Sequence, residues 1–184
     1  MTAPSRGFLL IASHFLKEPS FQRIVTLRCS HNDEEGTFGF SLNKKLKISF
    51  DTLIPEMAGW PAPVYGGGPV HTDTLHYLHQ YPEYFSDAVK ITDGVYWGGN
   101  FELLKEGIRN GTLDIKKIKF FLGYSGWSEG QLKDELEQNS WLTVKSTKHN
   151  LFETPATQVW NASLTLLGGK YKMMIHYPTD PQLN

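Results

Sequence analysis

The alternation of hydrophobic and polar residues divides the chain into short strands interrupted by a few amphipathic helices. Residues 7–12 form an unbroken apolar run, which predicts a central strand buried on both faces. Residues 21–29 and 37–42 alternate on either side of a polar segment that ends in glycine, which predicts a β-hairpin. Gly39 within the second strand indicates either a bulge or the close approach of another backbone.

The middle of the chain adds two strand regions and one well-delimited helix. Residues 74–79 and 89–97 are typical of strands, and the second of these turns at Asp93-Gly94. The helix is predicted over 101–110, with Asn100 as its N-cap and a glycine just after its end. Between the hairpin and these elements, the sequence predicts a basic loop at 43–47 and a short helix at 50–57 that Pro55 disturbs.

Residues 120–142 carry the densest pattern, which predicts a buried strand, a glycine turn, an acidic helix and a return to extended chain. Ser128 and Gln131 have the spacing of a capping box at the start of that helix. Leu132 and Leu136 follow at helical spacing, so we expect them to face the core.

The last third predicts one more helix and one more strand. Thr154-Pro155 is a helix start with proline in the first turn, and Gly168 ends the helix. Residues 171–177 then form a strand-like run. We find no linker, repeat or low-complexity segment, so we expect residues 1–184 to form a single domain.

The charge of the chain argues against binding to nucleic acid. The chain has 184 residues and a formal net charge of −1, which disfavours an extensive phosphate-binding face. The helix predicted after Ser128 carries four acids and one lysine, so it would repel DNA. Lys116, Lys117 and Lys119 lie at the beginning of the central strand, where they could contact a phosphate, but we interpret them as strand-edge charges that oppose aggregation.

Cysteine and histidine content gives no sign of a cofactor or metal. The one cysteine, Cys29, alternates as in a half-buried strand and is interpreted as a small buried residue. The seven histidines are scattered, and His76 and His79 would face opposite sides of a strand, so we predict no metal site. The longest apolar run, within 7–12, is too short to span a membrane, which favours a cytoplasmic protein.

Two glycine-rich segments are the candidates for chemistry. Residues 66–68 form either a tight turn at a strand end or a backbone nest that binds an anion. Around Ser125 the spacing fails the pattern of a nucleophile elbow, because Trp127 replaces the second glycine. Backbone amides at the start of the following helix attract anions, and the neighbouring aromatic rings would stack on a flat ligand. The resulting candidate ligand-binding residues are Asn43, Gly67, Gly68, Tyr124, Trp127 and Gln131, with no catalytic residue assigned.

Four segments, in order, resemble the YqgE/AlgH family of bacterial proteins. They are residues 7–13, 36–43, 65–70 and 122–132, and the last, with Leu122-Gly123-Tyr124-Ser125-Gly126-Trp127, is the most specific. The resemblance covers about residues 7 to 168. Two departures stand out, since Ser125 replaces the alanine more usual in the family, and residues 97–100 replace a Ser/Thr-rich segment before the helix.

The resemblance implies an α+β fold with a strongly bent, partly barrel-like mixed sheet surrounded by helices. It also implies a bacterial cytoplasmic protein of a family that carries the label of transcriptional regulator and has no defined catalytic residues. Our leading hypothesis is a non-enzymatic regulatory or interaction protein whose partner is an unknown protein or a small anionic ligand. The alternative is a hydrolase or transferase that uses the glycine-lined region, and direct DNA binding is the third hypothesis.

Overall fold

The structure, a computed structural model, describes residues 5–14, 16, 18–32 and 36–178. Strands and helices alternate irregularly along this part of the chain, with short 3-10 helices between them. The strands are β1 (Phe8–Ala12), β2 (Val25–Asn32), β3 (Gly36–Ser41), β4 (Lys45–Ser49), β5 (Pro63–Gly66), β6 (Val70–His79), β7 (Val89–Thr92), β8 (Val95–Trp97), β9 (Ile118–Trp127) and β10 (Trp141–Lys145). The helices are α1 (Phe50–Leu53), α2 (Phe101–Arg109), α3 (Gln131–Glu137), α4 (Lys148–Phe152) and α5 (Val159–Leu167).

The strands form one mixed sheet in the order β10-β1-β2-β3-β9-β6-β8-β7, to which β5 and then β4 are added beside β9. Strand β9 has antiparallel partners in β3 and β6, and it pairs in parallel with β5. The sheet is strongly curled into a half-barrel with helices around it, so the α+β fold class is confirmed.

The curl brings the residues just before β1, the second strand in the sheet order, against β7 at the far edge of the sheet. The N-terminal end of β1 lies against β7, and a Cβ on Gly7 would come within 2.6 Å of the Ile91 carbonyl oxygen. The guanidinium of Arg6 donates to the Lys90 carbonyl oxygen at 3.3 Å across the same gap. Gly7 has a φ of 82°, which a residue with a side chain rarely adopts.

The predicted hairpin is confirmed, and Gly39 is the point of close backbone approach, opposite a bulge that lies in β2. Strands β2 and β3 pair antiparallel with a register shift between Arg28 and Ser30, which is a bulge. A Cβ on Gly39 would lie 2.3 Å from the Leu27 carbonyl oxygen, so the two backbones also approach too closely for a side chain.

Hydrophobic side chains from the sheet and the helices pack together in three clusters. The largest includes Leu9, Phe40 and Phe121 and is covered by α5. A second, on the other side of β9, includes Phe50, Phe120 and the α2 residues Leu104 and Ile108. The third joins Leu10, Trp127, Leu132 and Trp141 under α3, with Leu136 packed against it. The expected core positions in the acidic helix are therefore confirmed.

Several expected boundaries and elements were wrong. The basic segment predicted as a loop contributes Lys45–Lys47 to β4, because β5 supplies a partner that sequence periodicity does not reveal. Residues 171–177 lie mainly in a 3-10 helix, Gly169–His176, which packs on α5 instead of pairing with a strand. Helix α3 begins at Gln131 after Gly130, and only the Gln131 half of the capping box forms.

The interpretation of the three lysines is wrong for Lys119. This residue lies in β9 between β5 and β6, and only 7% of it is exposed. Lys116 and Lys117 are exposed in a 3-10 helix ahead of that strand, so they fit the description of solvated charges.

Candidate functional site

The predicted ligand residues divide between two regions of the half-barrel. Asn43, Gly67 and Gly68 lie where the chain leaves β3 and β5, whereas Tyr124, Trp127 and Gln131 lie at the end of β9 and the start of α3. The two groups meet where Gly67 and Gly68 cross the backbone of Gly123 and Tyr124, and of the six residues Tyr124 and Trp127 line a cleft that the other four do not border.

The first group holds the backbone together. The Asn43 side chain donates to the Arg23 carbonyl oxygen at 2.8 Å and accepts from the Val25 amide at 3.0 Å. The Gly67 amide donates to the Leu122 carbonyl oxygen, and the Gly66 amide donates to that of Lys44. These two glycine amides are thus already paired within the sheet.

The glycines at 67 and 68 are needed because two chain segments cross there. A Cβ on Gly67 would lie 2.2 Å from the Gly123 carbonyl oxygen, and one on Gly68 would lie 2.1 Å from the carbonyl carbon of Tyr124. Real side chains never approach that closely. This geometry accounts for the glycines as backbone crossing points.

In the second group, Trp127 and Gln131 make internal contacts. Trp127 is 5% exposed, and its indole nitrogen donates to Glu135 at 2.8 Å. The Gln131 side chain accepts from the Ser128 amide at 3.1 Å and donates to Glu135 at 2.9 Å. The ring of Tyr124 is partly exposed, and Tyr124 and Trp127 border one cleft, which Gln131 does not line.

That cleft, which we call the aromatic cleft, has a volume of about 550 Å³ and lies across five strands that are consecutive in the sheet, from β2 to β8. The ring of Phe38 lies 4.9 Å from that of Trp97 and 5.9 Å from that of Tyr124, both edge to face. His76 adds a fourth ring, perpendicular to Tyr124 at 6.0 Å. The rings of Phe38, His76, Trp97 and Tyr124 define the aromatic cleft, and Ser30, Gly36, Thr37, Val70, Gly126, Trp127 and Ser128 complete its lining.

The backbone of Gly123 places Tyr124 in this cleft. In a regular strand, residues three apart face opposite sides. Gly123 has a φ of 68°, and the ladder between β6 and β9 shifts register next to it. As a result Phe121 packs on Phe40 at 4.9 Å, and Tyr124 reaches Phe38 on the same side of the sheet. Gly123 therefore places the ring of Tyr124 on the same face as Phe38, whereas regular alternation would place it on the opposite face.

His76 presents a buried polar atom to the aromatic cleft. Its Nε2 is enclosed, and no hydrogen-bond partner for it exists among the described residues. Burial, followed by the charge of His71, lowers the pKa of His76, which favours the neutral ring. An unpaired buried polar atom costs roughly 1–3 kcal/mol, so a ligand that supplies a partner gains affinity there.

Ser125 has the contacts of a structural hydroxyl. It is 2% exposed within β9, its Oγ donates to the Gly67 carbonyl oxygen at 3.2 Å, and the Ser41 hydroxyl lies 3.4 Å away. The expected position between a strand and a helix was wrong, because β9 continues to Trp127. Neither contact supplies the base that a serine nucleophile requires.

Other chemistry finds little support in the described residues. Within 5–14, 16, 18–32 and 36–178, no three histidine, cysteine, aspartate or glutamate side chains cluster as metal ligands would. Cys29 is fully buried, and burial raises the pKa of its thiol. Across the same ranges, every helix is too short or too polar to cross a bilayer.

Known bacterial proteins are similar to this chain along most of its length. Residues 9–172 match the model of a family described as AlgH-like. The chain belongs to the AlgH-like family. It is 40% identical over 181 residues to a UPF0301 protein of Cytophaga hutchinsonii, covering 98% of this chain and 99% of that one. It is 43% identical over 183 residues to a UPF0301 protein of Parabacteroides distasonis, covering 98% and 92%.

Two solved structures show the same fold. The solution structure of the AlgH protein from Pseudomonas aeruginosa superposes with a TM-score of 0.74 at 26% identity, covering 97% of each chain. A crystal structure of a protein from Corynebacterium diphtheriae superposes with a TM-score of 0.80 at 19% identity, covering 96% of this chain and 94% of that one. The AlgH-like chain described here therefore shares the half-barrel along nearly its whole length.

Sequence reasoning missed three of the four rings of the aromatic cleft. Phe38 and Trp97 were assigned to strands without a site, and His76 was considered only as a metal ligand. Their spacing within each strand is ordinary, and the strand order that places β3, β9, β6 and β8 side by side is not visible from alternation. The one available signal was Gly123 within a strand, which indicates a bulge.

Proposed function

We propose that this AlgH-like protein is a non-enzymatic, ligand-binding regulatory protein of the bacterial cytoplasm, and that its ligand is a small planar anion held in the aromatic cleft. The observation that carries the proposal is the buried, unpaired Nε2 of His76 among the rings of Phe38, Trp97 and Tyr124. Ligand sites combine apolar walls with a few converging polar groups, which matches this arrangement.

The chemistry of the lining supports a flat ligand with a hydrogen-bonding edge. Neighbouring rings at 4.9–6.3 Å from one another leave faces and edges for a further ring to stack on. The described lining includes a serine hydroxyl at Ser30, a phenol at Tyr124 and an imidazole at His76, and it includes no carboxylate. Donors without an opposing negative charge favour an anionic or neutral ligand over a cation.

Any influence on transcription would then pass through a protein partner. The net charge of −1 gives little attraction to a phosphate backbone. A mobility assay with duplex DNA at several salt concentrations tests this, because a salt-dependent shift would show direct binding and contradict the proposal.

The experiment for the ligand is a thermal shift with planar and non-planar anions of similar size. Indole-3-acetate and anthranilate are the planar probes, and cyclohexaneacetate is the control anion. A ligand that binds only the folded state raises the melting temperature with its concentration. We expect the planar anions alone to stabilise the protein, and native mass spectrometry of freshly purified protein to show a bound small molecule.

Two tryptophan variants locate the binding. Trp97→Leu should abolish the shift, whereas Trp60→Leu, a half-buried tryptophan beside the second hydrophobic cluster, should retain it. Equal shifts in the two variants, or no shift with any planar anion, would refute binding in the aromatic cleft.

A further inference from the structure

A second cleft opens on the far side of β5, between this strand, the start of β9 and α4. Its volume is about 220 Å³, and its lining includes Pro63, Tyr65, Lys116, Lys119, Phe152 and Thr154. None of these residues borders the aromatic cleft. We call it the lysine cleft.

Lys119 places a buried amine in this lysine cleft. The residue is 7% exposed, and its Nζ donates to the Leu151 carbonyl oxygen at 3.1 Å. The same nitrogen lies 4.4 Å from the centre of the Tyr65 ring. Within the described part of the chain, no carboxylate forms an ion pair with it.

An amine in such a site loses its proton more easily than an exposed lysine. Burial lowers the pKa of Lys119 to about 8. At pH 7 this gives on the order of a hundredfold larger fraction of free amine than an ordinary lysine has. Free amine is the nucleophilic form, and desolvated lysines in apolar pockets are the ones that form imines with carbonyl compounds. The other titratable groups on the surrounding elements are Tyr65 on β5, His71, Asp73, His76, Tyr77 and His79 on β6, Tyr124 on β9, Lys116 and Lys117 ahead of β9, and Lys148, His149 and Glu153 around α4.

We propose that Lys119 is a carbonyl-reactive residue that forms an imine with a small aldehyde or 2-oxo acid in the lysine cleft. The Nζ lone pair attacks the carbonyl carbon and a C–N bond forms. The carbonyl oxygen takes up two protons, one released by the amine nitrogen and one from solvent, and leaves as water, so that a protonated C=N bond remains. The step needs no oxidant or reductant, and added water reverses it.

The lining favours a carbonyl compound that carries a carboxylate. Proline, tyrosine and phenylalanine side chains form apolar walls that exclude water from the imine. Lys116 is exposed at the rim and has no carboxylate partner among the described residues. A cation at the mouth and an amine inside match the two ends of a 2-oxo acid.

A purely structural role for Lys119 is the competing explanation. Leu151 lies in the last turn of α4, where a cation stabilises the exposed carbonyl groups. That role needs the ammonium form and predicts an unreactive side chain. The two explanations therefore differ in a measurable rate.

Reductive labelling of the whole protein measures that rate with every other lysine as an internal control. The folded protein is incubated at pH 7 with glyoxylate, an aldehyde that carries a carboxylate, and sodium cyanoborohydride traps the imine as a stable secondary amine. Peptide mass spectrometry then gives the labelling rate at each lysine. We expect Lys119 to react at least ~10-fold faster than the exposed Lys117, since restricted access offsets part of its larger free-amine fraction.

Two further arms make the outcome decisive. Lys119→Met should remove the fast site while leaving the rates at other lysines unchanged, which also shows that the variant is folded. Lys116→Gln should slow labelling of Lys119 by glyoxylate but not by propionaldehyde, which lacks a carboxylate. A rate at Lys119 equal to or below that of Lys117 in the folded wild-type protein would overturn the proposal.

Discussion

Trp127 and Trp141 donate their indole N–H groups to the same carboxylate oxygen of Glu135, at 2.8 and 2.7 Å. Their rings meet edge to face with centroids 5.8 Å apart, beneath α3. One helix side chain thus fixes two aromatic residues that come from the end of β9 and the start of β10. The carboxylate of Glu135 in this acidic helix therefore has a structural role, because it accepts both indole hydrogen bonds.

Replacing Glu135 should therefore destabilise the fold. Glu135→Leu leaves two buried indole donors without their acceptor, and we expect a loss of about 2–4 kcal/mol of unfolding free energy. Glu135→Gln keeps one acceptor oxygen and should lose less. Urea unfolding measures both, and Glu137→Leu, an exposed acid on the same helix, is the control expected within about 0.5 kcal/mol of wild type. A Glu135→Leu variant as stable as this control would contradict the shared hydrogen bonds.

The crossing at Gly67 gives a second stability test with an adjacent control. Gly67→Ala would place a methyl group 2.2 Å from the Gly123 carbonyl oxygen, whereas at Gly66 the nearest atom, in the Leu46 side chain, is 3.4 Å away. We expect Gly67→Ala to cost more than about 3 kcal/mol or to prevent folding, because neither crossing segment has room to move. Gly66→Ala should fold, with a change below about 1 kcal/mol by urea unfolding. Similar stability of the two variants would show that the crossing is not tight.

Replacing His76 with phenylalanine should preserve or raise the unfolding free energy while weakening the binding of a planar anion. His76→Phe keeps a ring between Phe40 and Tyr124 and removes the unpaired nitrogen. We expect the unfolding free energy to stay equal or rise by up to about 1 kcal/mol, since a buried polar atom without a partner is lost. The thermal shift with indole-3-acetate should fall in the same variant. A variant that is less stable and still binds would indicate that His76 serves packing alone.

The lowered pKa of Lys119 should make the free energy of unfolding depend on pH. Its folded pKa of about 8 is below its ordinary value of 10.5, so between these values the folded chain binds fewer protons than the unfolded chain. The contribution of Lys119 to the free energy of unfolding is therefore lowest below pH 8. It rises between pH 8 and pH 10.5 by up to roughly 1 kcal/mol per pH unit. Cys29, Tyr65 and Tyr77 oppose this trend above about pH 9, because burial raises their pKa values and the unfolded chain then loses protons first.

The difference between wild type and Lys119→Met isolates the lysine contribution. Both proteins contain the same cysteine and tyrosines, so urea unfolding from pH 7 to pH 9.5 should give a difference that changes little near pH 7 and shifts in favour of wild type above about pH 8. A constant difference would mean that Lys119 keeps an ordinary pKa in the folded protein.

The secondary structure was largely predictable where local chemistry determines it. Asn100 caps α2 by accepting from the Leu103 amide, as its position before an amphipathic run indicated. The β2–β3 hairpin and the turn at Gly94 likewise follow from alternation and glycine. The resemblance to the family supplied the bent sheet, which periodicity alone did not.

The candidate site was less predictable because it depends on long-range pairing. Trp97 and Phe38 are far apart in the sequence, and their rings meet because the sheet curls across β9 and β6, which lie between their strands. Lys119 follows two exposed lysines, and only its pairing between β5 and β6 buries it. Local patterns report how a segment can fold, whereas the neighbours of that segment decide what its side chains touch.

The pairing of β1 with β10 has a consequence for how the protein is made. Phe8 lies opposite Lys145, and Ala12 opposite Trp141, so the first strand has one of its two neighbours more than a hundred residues later. During synthesis β1 leaves the ribosome early and one of its two backbone edges stays without its partner until β10 has been made, which leaves this apolar strand prone to aggregation in the meantime. The half-barrel closes only after most of the chain has been translated.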